Sequence, residues 1–162
     1  MWRPRNSAGF TLMELLVVVF IMLIAAAIVV PYASATSNSS VVSASRMIAA
    51  DLQYAQNVAI TTQTPVTVTF NKNGRSYTLS NQSGSLINPM TKAVYTVNFA
   101  AMSGYGPMVF NTVSFGSGAA VTVTFDVMGA PDNAGTIKLV AGPYVRQIDV
   151  EAATGNVSVT GS

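Results

Sequence analysis

The chain has 162 residues, half of them hydrophobic and only 9% charged, which leaves room for one ordinary globular domain and a surplus of apolar residues that belongs somewhere other than its core. Its formal charge of +2 vanishes once Arg3 and Arg5 are set aside, since six basic and six acidic residues remain; a neutral body exerts little pull on phosphate backbones, and nucleic-acid binding is not expected. With no cysteine and no histidine, disulfides, thiolate nucleophiles, sulfur metal sites and the commonest general base are all missing, so neither an enzyme nor a cofactor or metal protein is expected.

A short polar and basic segment, residues 1–9, precedes an apolar run from Phe10 to Val30. As a helix its 21 residues extend roughly 31 Å, about the hydrocarbon thickness of a bilayer. Arg3 and Arg5 lie before the run, and no charge follows it until Arg46, which predicts a cytoplasmic N-terminus and an exported remainder. An ordinary signal peptide cut near Ala33 or Ala35 is the alternative, although its apolar stretch would be shorter than this one. Glu14 is the one charge inside the run. A carboxylate in hydrocarbon costs a few kcal/mol unless paired, so its position points to a function.

The residues Gly9-Phe10-Thr11-Leu12-Met13-Glu14-Leu15 resemble the signature of type IV prepilins, in which a basic leader ends in glycine, phenylalanine follows, and a glutamate stands fifth in the mature chain. The resemblance implies cleavage between Gly9 and Phe10 by a prepilin peptidase, N-methylation of Phe10, and retention of the apolar helix in the product. It also implies that Glu14 pairs with the terminal amine of a neighbouring subunit during assembly. Glycine suits the cut because it leaves the backbone open to a protease.

Pro31 ends the apolar run and predicts a kink or weak turn, because it removes a helical donor. Ala25, Ala26 and Ala27 before it permit close helix approach or simply face lipid. The following Ser/Thr/Asn stretch has weak helix propensity and by itself reads as a linker. From Arg46 to Ile60, however, Ile48, Leu52, Ala55 and Ala59 recur with Met47 and Val58 alongside, the spacing of an amphipathic helix with one buried face. In the type IV pilins that the N-terminal residues resemble, one long helix runs from membrane into domain, and the resemblance implies one helix here from about Phe10 to about Thr61.

Beyond Pro65 the period becomes two. Val66, Val68 and Phe70 face Tyr77 and Leu79 across Asn73-Gly74, a hairpin signal. Further alternation comes at Tyr95, Val97 and Phe99, at Val113 and Phe115, and at Val121, Val123 and Phe125 across Gly116-Ser117-Gly118. The last pieces are Ile137–Leu139, Ile148–Val150 and Val157–Val159. The expected fold is α+β, pilin-like: a long N-terminal helix packed near Leu52 on a C-terminal antiparallel sheet.

The run Leu52-Gln53-Tyr54-Ala55-Gln56-Asn57-Val58-Ala59-Ile60 leading into Pro65–Phe70, and the closing pieces Phe125-Asp126, Thr136–Leu139, Ile148–Val150 and Thr154–Val157, are similar to the H-type minor pseudopilins of type II secretion and to FimT-like minor pilins. Gln56 departs from many relatives, which carry arginine there. The resemblance implies a leader at 1–9, a transmembrane and filament-core helix at 10–31 and a periplasmic domain at 32–162. It further implies an inner-membrane location, other pseudopilins or pilins as filament partners, and an inner-membrane assembly platform. The function it implies is that of a pseudopilus subunit driving protein export, or else a minor type IV pilin for pilus assembly, adhesion or DNA uptake.

Other candidates have ordinary readings beside the functional ones. Asp126, Asp132 and Asn133 offer oxygens of the kind that hold calcium, but Asp, Asn and Gly are also what turns require. Asp149 and Glu151 alternate on one strand as an acid/base pair or as exposed polarity. Tyr105 and Tyr144 are loop contacts for a partner or covers for the sheet.

Overall fold

A computed structural model describes the backbone of residues 11–118 and 120–161, and their side chains except those of 27–36. Helix α1 runs Leu12–Thr62 and continues through Pro31, so the expected weak turn there does not end the helix. Thr11 starts it, its hydroxyl accepting from the Glu14 amide at 3.2 Å, an N-cap that satisfies one of the otherwise orphaned first-turn donors. The chain divides into two compact units, 1–35 and 36–162.

In the first unit, residues 11–26 expose their side chains. Among the described residues no helix is long and apolar enough to cross a membrane; the expected span, 10–31, lies partly outside them.

In the second unit the strands are β1 Val66–Asn71, β2 Ser76–Asn81, β3 Gly84–Ser85, β4 Thr96–Asn98, β5 Val109–Phe115, β6 Thr122–Phe125, β7 Gly135–Ala141, β8 Tyr144–Val150 and β9 Val157–Gly161. All pair antiparallel, and they form two sheets where the sequence suggests one. The first has the order β3-β2-β1-β6, with β4 also on the outer edge of β2; the second has the order β5-β7-β8-β9. The expected hairpin forms with Phe70 opposite Tyr77.

Among the described residues, the Gly116-Ser117-Gly118 turn between β5 and β6 closes one bridge, Phe115 to Ala120, and β5 and β6 are not paired as a ladder. The reason lies at Gly135. A side chain there would overlap the Phe115 ring, and with hydrogen alone β7 draws against β5 while Gly116 donates to the Ala134 carbonyl at 2.9 Å. Strand β6 then pairs with β1, register Val68 to Val123.

The core joins both sheets to the helix. Ile48, Leu52, Ala55 and Ala59 are buried as their spacing demands, and Val41 and Ala44 extend the stripe into the Ser-rich stretch. Ser40 and Ser45 are buried there too; each hydroxyl donates to the carbonyl three residues earlier, which removes the penalty of burying an unpaired polar group. Phe70 of the first sheet meets Phe110 and Phe115 of the second at centroid distances of 6.1 and 6.0 Å, the geometry aromatic pairs favour.

Candidate functional site

Gly9 and Phe10, the expected cleavage and methylation positions, lie outside the described residues. Glu14 is described. It is exposed in the first turn of α1, flanked by Leu12 at 81%, Met13 at 68% and Leu15 at 59% exposure. Leu12, Leu15, Leu16, Val19, Phe20 and Leu23 continue along one side at three- and four-residue intervals. A carboxylate thus stands at the head of an apolar surface large enough to need covering. Glu14 is also the third helical residue after the Thr11 cap, so Thr11-x-x-Glu14 has the spacing of a capping box. That spacing is plain in the sequence, and the bond the structure shows in it is the Glu14 amide donating to the Thr11 hydroxyl.

The remaining sequence candidates resolve into structural parts. Asp126 Oδ1 accepts from the amides of Met128 and Ala130 at 2.9 and 2.8 Å, and Asp132 Oδ1 accepts from the Thr124 amide at 3.1 Å. The Asn133 side chain lies against Gly116. Asp149 accepts from the Thr136 hydroxyl and the Gln147 amide, and Glu151 from the Thr154 hydroxyl; the two carboxylates are thereby drawn to different partners. Tyr105 packs against Phe99 in a tilted pair with ring centroids 5.1 Å apart, and Tyr144 packs on the core from the start of β8, so both tyrosines cover the sheets.

Two side chains of the helix hold more than the sequence suggests. Asp51 accepts from the Tyr77 hydroxyl at 2.6 Å and the Tyr95 hydroxyl at 3.0 Å. Burial pushes its carboxyl above the ordinary aspartate range, and the two hydroxyl bonds pull it partway back. Burial and the nearby Asp51 together push the two phenols up, so both remain donors. The signal was available: Asp51 stands three residues after Ile48 and four before Ala55, on the buried stripe itself.

Gln56 is the second. Its Nε2 donates to the Gly129 carbonyl at 2.8 Å and the Thr154 carbonyl at 2.9 Å, tying two turns to the helix. Gly129 and Gly155 adopt φ of +86° and +65°, and a Cβ on Gly155 would come within 2.5 Å of the Gln56 nitrogen. Nothing local in the sequence links position 56 to residues 73 and 98 positions away.

No curated protein matches the chain in sequence. The fold is that of solved minor pilins and pseudopilins. The minor pseudopilin EpsH from the type 2 secretion system of Vibrio cholerae superposes with a TM-score of 0.55 at 9% identity, over 75% of this chain and 94% of that one. The type IV minor pilin FimU of Pseudomonas aeruginosa gives 0.53 at 17% identity, over 73% and 86%. Residues 4–30 match the prokaryotic N-terminal methylation motif. With residues 44–155 matching the model of the type II transport protein GspH, the chain is a type IV pilin-like protein and belongs to the GspH family.

Proposed function

We propose that the chain is a minor pseudopilin. It is made as a precursor, cut between Gly9 and Phe10 by a prepilin peptidase and methylated on the new Phe10 amine. The 10–31 helix holds it in a bacterial inner membrane, with 32–162 in the periplasm. There it joins other pseudopilins in a filament that an inner-membrane platform assembles to drive protein export. The observation that carries this reading is the GspH match over 44–155 behind a methylation motif over 4–30.

Glu14 supplies the assembly chemistry. Cleavage creates an α-amine that is largely cationic at neutral pH, and Glu14 presents the opposite charge on an exposed apolar surface. When subunits pack, that surface is covered and an unpaired carboxylate becomes expensive, by about 3–5 kcal/mol when only one partner of a buried pair is present. A subunit at the right axial stagger brings a neighbour's amine to Glu14; a misplaced one does not, and is rejected.

Intact mass of the membrane-extracted protein should show a chain beginning at a methylated Phe10, with Gly9→Val left uncut; a native product starting near Ala33 would sink the reading. Glu14→Leu should be processed and inserted but should enter filaments poorly, while Glu14→Asp keeps part of the activity. Glu14→Gln separates the charge from the capping-box spacing. Glutamine still serves a capping box but carries no charge, so it should fail as Glu14→Leu does. Normal assembly of either neutral variant would show that assembly does not need the Glu14 charge.

The fold likeness to a type IV minor pilin supports a second reading, a subunit for pilus assembly, adhesion or DNA uptake. In-cell cross-linking decides: secretion-channel and pseudopilin partners fit export, whereas pilus-shaft or DNA-import partners fit the second reading.

A further inference from the structure

Alternation along strand β8 puts Tyr144, Arg146, Ile148 and Val150 on one side of the sheet, and of these four Arg146 carries a charge. Ile148 and Val150 are buried, and Arg146, two residues before Ile148, shares their side of the sheet. Its cross-strand neighbour on β7 is Leu139, fully buried, and its neighbour on β9 is Gly161. The Arg146 side chain lies across Gly161 where any Cβ would collide with it, so the strand pairing itself holds the guanidinium in place. Opposite stands Arg46, on the α1 turn that also carries Val42 and Ser45. These residues and Val159 enclose a cleft of about 200 Å³.

Arg46 is exposed and Arg146 half-buried, and both line this one cleft, so an anion seated in it would meet two like positive charges at once. Among the described residues neither guanidinium has a hydrogen-bond or ion-pair partner. The chain's own carboxylates beyond Glu14 are engaged elsewhere: Asp51 by tyrosines, Asp126 and Asp132 by turn amides, Asp149 and Glu151 by Thr and Gln side chains. The Ser45 hydroxyl is itself spent on the Val42 carbonyl. Val42 and Val159 give the cleft apolar walls, suited to methylene groups behind a charged head.

From this geometry we infer that Arg46 and Arg146 form a receptor for a carboxylate on an aliphatic stem, an acidic side chain presented by a neighbouring protein chain. Arginine forks bind carboxylate oxygens in pairs and hold them in a fixed plane, so the cleft sets the angle of the partner as well as its charge. That the carboxylate comes from a neighbouring chain rests on the assembly reading above; the anion chemistry does not.

The test uses the uncleaved precursor, made without a prepilin peptidase, in detergent micelles and isotopically labelled at arginine. Its five arginines are Arg3, Arg5, Arg46, Arg75 and Arg146. Arg75 is an internal reference, since its Nη1 donates to the Tyr105, Gly106 and Met108 carbonyls, and Arg3 and Arg5 report non-specific attraction. Titration with a blocked tetraglutamate peptide should shift the Nε–Hε signals of Arg46 and Arg146 along one saturable curve. Arg46→Gln or Arg146→Gln should weaken binding at least about tenfold, the loss of a charge-assisted bond. Arg46 is exposed, so its variant keeps the test valid should Arg146→Gln disturb the strand. The inference is overturned if Arg3 and Arg5 follow the same curve, or if a folded Arg46→Gln binds as the parent does. Acetate or sulfate saturating at the peptide's concentration overturns it in favour of a small-anion site, and binding seen only after deletion of Ser162 overturns it in favour of the chain's own terminus. The assay involves no filament, so its failure leaves the assembly reading standing; that reading falls instead if Glu14→Leu assembles normally.

Discussion

Asp51 is held between opposed effects. Removal from water raises its pKa, and two tyrosine hydroxyls restrain the rise. A carboxyl whose folded pKa exceeds its unfolded value binds protons better in the folded state, so its contribution is complete below the unfolded pKa and is lost as pH climbs through the folded one. The protein should therefore lose stability as pH rises from the ordinary carboxylate range through the raised pKa of Asp51. Asp51→Asn should flatten that part of the profile. Denaturant unfolding at a series of pH values reads this directly, and an unchanged slope in Asp51→Asn would assign the dependence to other groups. At position 56, Gln56→Leu strands two backbone carbonyls and should cost about 1–3 kcal/mol. Gly155→Ala at φ +65° should cost about 1 kcal/mol or more through strain alone, so both changes should show as lowered denaturation midpoints. If neither variant shifts its midpoint, the clamp on the two turns contributes nothing to stability.

At the scale of elements, periodicity revealed what depends on local repetition. The stripe Ile48, Leu52, Ala55 and Ala59 announces a buried helical face, and Val66, Val68 and Phe70 against Tyr77 and Leu79 across Asn73-Gly74 announces a hairpin, because burial acts on each face directly. The Ser-rich stretch was harder to read. Its helix rests on Val41 and Ala44 reaching the core and on serines that return their hydroxyls to the backbone, which tertiary packing favours and propensity does not. The split into two sheets was not legible. Whether Phe115 continues toward β6 or turns to β7 depends on the missing Cβ of Gly135, twenty residues away in the chain, and alternation carries no such information. The same limit hid the Gln56 clamp and the Arg46–Arg146 cleft, which exist only because distant turns and strands meet the helix. The Thr11-x-x-Glu14 spacing, by contrast, is local and was open to reading.

For the whole molecule, a chain with so few charges divides its apolar residues between two uses: residues 11–26 keep theirs exposed, and the buried hydrophobic residues between Val41 and Val150 form one core. The second unit, 36–162, contains every residue of that core, including the helical stripe from Val41 to Ala59. We therefore expect residues 36–162, made alone, to fold as a soluble monomer, since nothing the core needs is left behind. The stripe is the vulnerable part. Leu52 is 1% exposed, and Leu52→Asp would replace core packing with a buried, unpaired carboxylate, a loss of about 4 kcal/mol or more. Domains of this size are stable by only about 5–15 kcal/mol, so the variant should be largely unfolded or strongly destabilised by circular dichroism and denaturant titration. Ser43, exposed on the same helix, supplies the control: Ser43→Asp should leave the midpoint nearly unchanged. A Leu52→Asp domain as stable as its parent would show that the helix is dispensable to the core, and an insoluble 36–162 fragment would show that the first unit contributes to folding.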